Sequence, residues 1–118
     1  MKQFSTKIMI CPVSSLPETI QPPFDGFDTL YSNIEIKPDL KERKTPGGKI
    51  IDFKLRAVFS GNYKSVMVKY GNFMPFKLIL FSTDGYYYIF EDQMKATIDP
   101  ISFAYEFNIS RTMLSHPF

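Results

Sequence analysis

The run Phe76 to Phe90 (FKLILFSTDGYYYIF) constrains the fold more than any other part of the chain. Asp84-Gly85 is a turn pair that tolerates positive φ at both positions, and β-branched or aromatic residues flank it on each side. This predicts an antiparallel hairpin. Its first arm is apolar at nearly every position, so both of its faces must be covered. The arm therefore belongs deep in a sheet, and the remaining segments have to supply what lies above and below it.

Period-two alternation supplies the other strands. Phe4, Thr6, Ile8 and Ile10 alternate with Ser5, Lys7 and Met9, until Cys11-Pro12 ends the ladder. Leu30 to Lys37 places Ile34 and Ile36 opposite Glu35 and Lys37. Lys49 to Ser60 directs Ile51, Phe53, Leu55, Ala57 and Phe59 one way and Asp52, Lys54, Arg56 and Ser60 the other. Ser102 to Arg111 alternates Phe103, Tyr105, Phe107 and Ile109 against Ser102, Ala104, Glu106, Asn108 and Ser110. A short strand is expected at Lys95 to Ile98. Gly61 to Asn72 reads as a short helix, with Tyr63, Val66, Met67 and Tyr70 on one face. A strand over Ser65 to Tyr70 is the alternative. Together these give one mainly β domain over residues 1–118, an antiparallel β-sandwich or a partly closed barrel of about six strands with one short helix.

Two segments lack periodicity. Residues 11–27 (CPVSSLPETIQPPFDGF) hold four of the nine prolines and form an extended arm. Its large apolar residues wrap the arm's own domain or lie on a partner. The second case makes Leu16, Ile20 and Phe24 candidate contacts. Residues 38–48 (PDLKERKTPGG) read as a long polar loop joining the strands at 30–37 and 49–60 into a hairpin. The cluster Lys37, Lys41, Arg43, Lys44 and Lys49 is net +3 once Asp39 and Glu42 are counted. Of these, Lys41, Arg43, Lys44 and Lys49 are candidate interface residues. The interleaved acids and the absence of a stacking aromatic argue against nucleic acid as a direct ligand.

Composition removes most chemistry. One histidine, His116, stands near the C-terminus where nothing holds it as a general base, and one cysteine, Cys11, has no histidine near it in sequence. Together they cannot build a nitrogen–sulfur zinc site. No phosphate-binding glycine motif occurs, and Asp25, Asp28, Glu91 and Asp92 read as turn and strand-end charges. The expectation is a protein that is not an enzyme and has no cofactor or metal. A formal charge of +2 is too small to imply a nucleic-acid or membrane partner. The first ten residues show no cleavable hydrophobic core, and no apolar run approaches the ~20 residues of a membrane helix.

Aromatic residues make up 16% of the chain, more than one core face explains. Alternation must send Tyr86 and Tyr88, or else Tyr87, to the outer face, and Tyr87 joins the candidate interface. The hairpin arms around Lys41 to Gly48, the run FKLILFSTDGYYYIF, the strand SFAYEFNISR and the tail Met113 to Phe118 resemble the small β-sandwich neck and tail proteins of tailed bacteriophages. The Lys, Ile, Phe, Tyr and Asn bias is similar to that of proteins from AT-rich genomes. The resemblance implies a virion component made in the host cytoplasm that forms a ring with copies of itself and with neighbouring virion proteins. A monomeric binding module for carbohydrate, peptide or nucleic acid is the alternative.

Overall fold

The computed structural model describes residues 3–114 and residue 117. The reading of His116, and the end of the tail at Ser115 and Phe118, lie outside the described residues. The chain forms strands β1 (Phe4–Pro12), β2 (Asp28–Tyr31), β3 (Asp39–Thr45), β4 (Gly48–Ser60), β5 (Phe76–Ser82), β6 (Tyr87–Ile89), β7 (Ala96–Ile101) and β8 (Ala104–Met113), with one helix, α1 (Tyr63–Tyr70), between β4 and β5. They assemble as two four-stranded antiparallel sheets, in the orders β2-β1-β5-β6 and β3-β4-β8-β7. The architecture is a sandwich and not a closed barrel.

The alternating residues meet between the sheets. Ile8, Ile10, Leu78 and Leu80 of the first face Phe53, Leu55, Ala57, Phe59, Tyr105, Phe107 and Ile109 of the second. Each fully buried large side chain, such as Phe53 or Phe107, contributes about 1.5–3 kcal/mol over its exposed state. On the other face of β1 and β5, Met9, Cys11 and Ile79 form a second buried cluster with Phe24 and Phe27, while Leu16 and Ile20 pack half-buried against it. The proline-rich segment therefore wraps its own domain. It opens with a 3-10 turn at Val13–Ser15, and Val13 N–H donates to Pro75 O at 3.0 Å. Phe24 is consequently no free contact surface.

The central hairpin forms where its sequence places it, and β5 lies inside the sheet between β1 and β6. Its turn is longer than two residues. Ser82 N–H donates to Tyr86 O at 2.9 Å and Gly85 N–H to Ser82 O at 3.3 Å, leaving three residues in the loop. Of these only Gly85 takes positive φ (96°), the pattern of a turn closed by a glycine bulge. The helix also forms as its spacing predicts. Asn62 Oδ1 caps it by accepting from Lys64 N–H and Ser65 N–H, and Tyr63, Val66, Met67 and Tyr70 face the core. Val68, which the strand alternative would bury, is 86% exposed.

Four sequence expectations need correction. Among the described residues eight strands form where about six were expected. Residues 38–48 are no loop: β3 pairs with β4 from Asp39↔Lys54 to Thr45↔Gly48, leaving only Pro46-Gly47 as the turn. There Thr45 Oγ1 donates to Gly48 O at 2.7 Å. An edge strand that buries little more than part of Leu40 has no apolar alternation to read. The strand expected at 30–37 stops at Tyr31 and belongs to the other sheet. The chain beyond it crosses between sheets, with Asn33 N–H bonded to Val58 O at 2.6 Å and Ile36 buried. Finally, Phe103 does not face inward. Ile101 pairs with Ala104, so Ser102-Phe103 is the hairpin turn, and Phe103 is fully exposed at φ 58°.

If the arm is structural, Phe24→Ala should lower the unfolding free energy by about 3 kcal/mol in chemical denaturation. An unchanged midpoint would show that the arm is not part of the fold.

Candidate functional site

The most distinctive surface is the part of the first sheet that the arm leaves open. Tyr31 pairs with Lys7, Lys7 Nζ lies 4.4 Å over the Phe81 ring, and Phe81 pairs with Tyr87. One row thus crosses all four strands, β2, β1, β5 and β6. Tyr31 is 63% exposed and Tyr87 is also exposed. Phe24 ends the arm's cover here, edge-on to Tyr87 at 5.2 Å and to Phe81 at 6.3 Å. Of the three consecutive tyrosines, Tyr87 takes the outer face. Tyr88 sits edge-on to Phe4 at 6.0 Å, and Tyr86 stands exposed at the turn. Sequence alternation marked Tyr87, but Tyr31 and Lys7 join it only through strand order.

The basic residues lie on the β3–β4 hairpin. Lys41 and Arg43 share one face, and Arg43 Nε donates to Asp52 Oδ2 at 2.7 Å. That bond first, and the Asp52 charge second, hold the Arg43 guanidinium above its ordinary value. The same pairing holds the Asp52 carboxyl below its own. Lys44 and Lys49 stand directly opposite each other near the tip, both exposed. Leu16 and Ile20 are held against the second cluster, on the first sheet, whereas these cations belong to the second sheet. The proposed interface residues therefore split into three groups: the hairpin, the arm and the aromatic row.

A shallow groove of about 400 Å3 runs along the outer face of the second sheet, lined by Asp39, Lys41, Asp52, Lys54, Ser110, Arg111 and Thr112. Arg43 engages its Asp52 and Asp92 its Arg111, and Thr112 Oγ1 adds a 3.4 Å contact to Asp52. Among the described residues no group of three His, Cys, Asp or Glu side chains converges to hold a metal ion. No buried side-chain nitrogen or oxygen among them lacks a hydrogen-bond partner. Among the described residues no helix is long and apolar enough to cross a membrane.

One polar cluster ties the helix to the first sheet. Asp28 Oδ2 accepts from Lys69 Nζ at 2.7 Å and from the Tyr70 hydroxyl, which also lies 3.3 Å from Ile10 O. Burial, then the bond to Asp28, pushes the Tyr70 phenol well above its ordinary range. Burial, and next the Asp28 charge, raises the Cys11 thiol, which makes it a poor nucleophile. For Asp28, partial burial alone would raise the carboxyl. The hydrogen bonds from Lys69 and Tyr70 outweigh it and hold the group below the ordinary carboxylate range. Asp28, Lys69 and Tyr70 form a clamp between the helix and the first sheet, with Lys69 and Asp28 partly exposed at its edge.

A depressed folded-state carboxyl stabilises the fold above the unfolded value and loses that effect as pH falls through the folded one. Asp28→Asn should therefore be less stable than wild type at neutral pH, and the gap should close as pH drops below about 4. Thermal melts across that range test it; a constant gap would remove Asp28 ionisation as its source. In comparisons with protein-family models, with curated proteins and with solved structures, the chain has no match.

Proposed function

We propose that the chain is a non-enzymatic assembly subunit that forms a ring through contacts between its copies. In keeping with its resemblance to small neck and tail proteins of tailed bacteriophages, we place it among virion components. The observation that carries this reading is the distribution of exposed apolar side chains. Apart from Tyr31 and Tyr87 on the open face of the first sheet, they stand on α1 or at the turns and connections between strands. Val68 lies on α1, Phe73 and Met74 follow it, Ile101 and Phe103 stand at the β7–β8 turn, Tyr86 at the β5–β6 turn and Leu114 just past β8. Phe103 is fully exposed in its turn, where a partner's surface can cover it. Exposed apolar groups rimmed by polar ones mark surfaces that a partner covers.

Light scattering over a wide concentration range tests the reading. The expected result is a discrete oligomer, or a mass that grows with concentration. A monomer at every concentration would overturn self-assembly.

The row Tyr31–Lys7–Phe81–Tyr87 favours a second reading, a binding module whose aromatic face holds a ligand with flat apolar surfaces. For that case Tyr31→Ala should abolish binding in a glycan, peptide and oligonucleotide screen while the melting curve is unchanged. A wild-type chain that binds nothing in that screen would dispose of it.

A further inference from the structure

The strand register sets a like-charged cross-strand pair near each end of the second sheet. We propose that these two pairs meet across a head-to-tail contact between copies of this chain, a proposal that rests on the assembly reading above. At the hairpin end, Lys44 lies directly opposite Lys49. Both are exposed, and neither makes an ion pair among the described residues. Like charges directly opposite in a ladder destabilise it. The two lysines stand where β3–β4 runs past the end of β8, whose last residue, Met113, pairs with Ile51. Asp52 already engages the neighbouring Arg43. Glu42, two positions before Lys44 on the same face, leaves one positive charge unanswered.

Near the other end, Asp99 lies directly opposite Glu106. Arg56 answers Glu106, with Nη2 at 2.6 Å from Oε2, and Asn108 Nδ2 donates to Oε1 at 2.6 Å. Asp99 is exposed and makes no ion pair among the described residues. One negative charge is therefore left over here, on the Arg56 face of the sheet, whereas Lys44 and Lys49 lie beyond the core on the Ile51 face.

The chain cannot bring these sites together by itself. Lys49 and Val58, the residue that pairs with Glu106, are nine positions apart on β4. At about 3.3 Å per residue they are roughly 30 Å apart along one stiff strand. A second copy satisfies both at once, the lysine pair of one meeting the acidic pair of the next. The two patches differ, so the contact is heterologous and gives a ring when its rotation closes. Apolar anchors accompany both sites. Ile101 and Phe103 follow Asp99, and the exposed Leu114 follows Met113. Phe103 occupies a left-handed turn position that a smaller residue fills with less strain, which agrees with its side chain being used outside its own fold.

The test uses three full-length variants, K44E/K49E, D99K and the combined K44E/K49E/D99K, compared with wild type by sedimentation velocity at low ionic strength. Circular dichroism confirms that each is folded. K44E/K49E and D99K should each associate at least about tenfold more weakly than wild type. An equimolar mixture of the two should recover association, because acidic tips then meet basic tails and the reverse. The combined variant should recover it alone, and added salt should weaken every associating form. Wild-type-like association of K44E/K49E and D99K overturns the proposal while leaving the assembly reading intact. Loss in both without recovery in the mixture or the combined variant overturns it too, since the charges then do not face each other. A wild-type chain that is monomeric alone overturns both readings, and one that gains mass only on added duplex DNA assigns the lysines to phosphate instead.

Discussion

Two strands that are apolar on both faces, β1 and β5, dictate the arrangement of everything else. Leu78 and Leu80 point into the space between the sheets, while Ile79 between them points the opposite way; Ile8, Met9 and Ile10 do the same on β1. A sheet centre of this kind needs two covers, because either face left to water would forfeit roughly 25 cal/mol for each Å2 of apolar surface. The second sheet is one cover. The proline-rich segment is the other, and it serves without regular structure because Phe24 and Phe27 supply the contacts while Pro22 and Pro23 limit the freedom lost on ordering. A segment that looks like a linker in composition is in this chain part of the core.

Polar groups then set where the pieces attach. The helix closes one end through the Tyr63, Val66, Met67 and Tyr70 face, and the Asp28 clamp gives it a defined docking position. Ser32 Oγ accepts from both Ile34 N–H and Val58 N–H at 3.2 Å, so the crossing between sheets is tied to β4. These bonds satisfy main-chain groups that a crossing segment would otherwise bury unpaired, at a cost of about 1–3 kcal/mol each. What remains for function is the outside: an aromatic row, a charged hairpin and apolar side chains on α1 and at the turns.

Legibility followed burial. β4, β8 and the central hairpin were readable because each has at least one face in the core, and burial imposes alternation. The edge strand β3 was not, since Lys41, Glu42, Arg43 and Lys44 have no core to face and look like a loop. Phe103 was misplaced for a related reason. Alternation extends one residue too far when a hairpin turn happens to hold an apolar residue, and only the Ile101↔Ala104 pairing reveals the turn. Of the candidate contacts, Lys41, Arg43, Lys44, Lys49 and Tyr87 are exposed, whereas Phe24 is buried in its own domain and Leu16 and Ile20 are half-buried against it.

Read alone, the amino-acid sequence carries the strand-rich class, the central hairpin, the helical spacing within Gly61 to Asn72 and which side of the long strands is apolar. Those properties are local: they depend on periodicity, turn residues and caps that act within a few positions. Only the tertiary structure decided which strands are neighbours, and with that which side chains share a surface. Tyr31 and Tyr87 are far apart in the chain yet lie in one row, and Lys44 faces Lys49 only because β3 is a strand. Pairing partners are chosen by the summed burial of both sheets, a quantity that no local window of sequence contains.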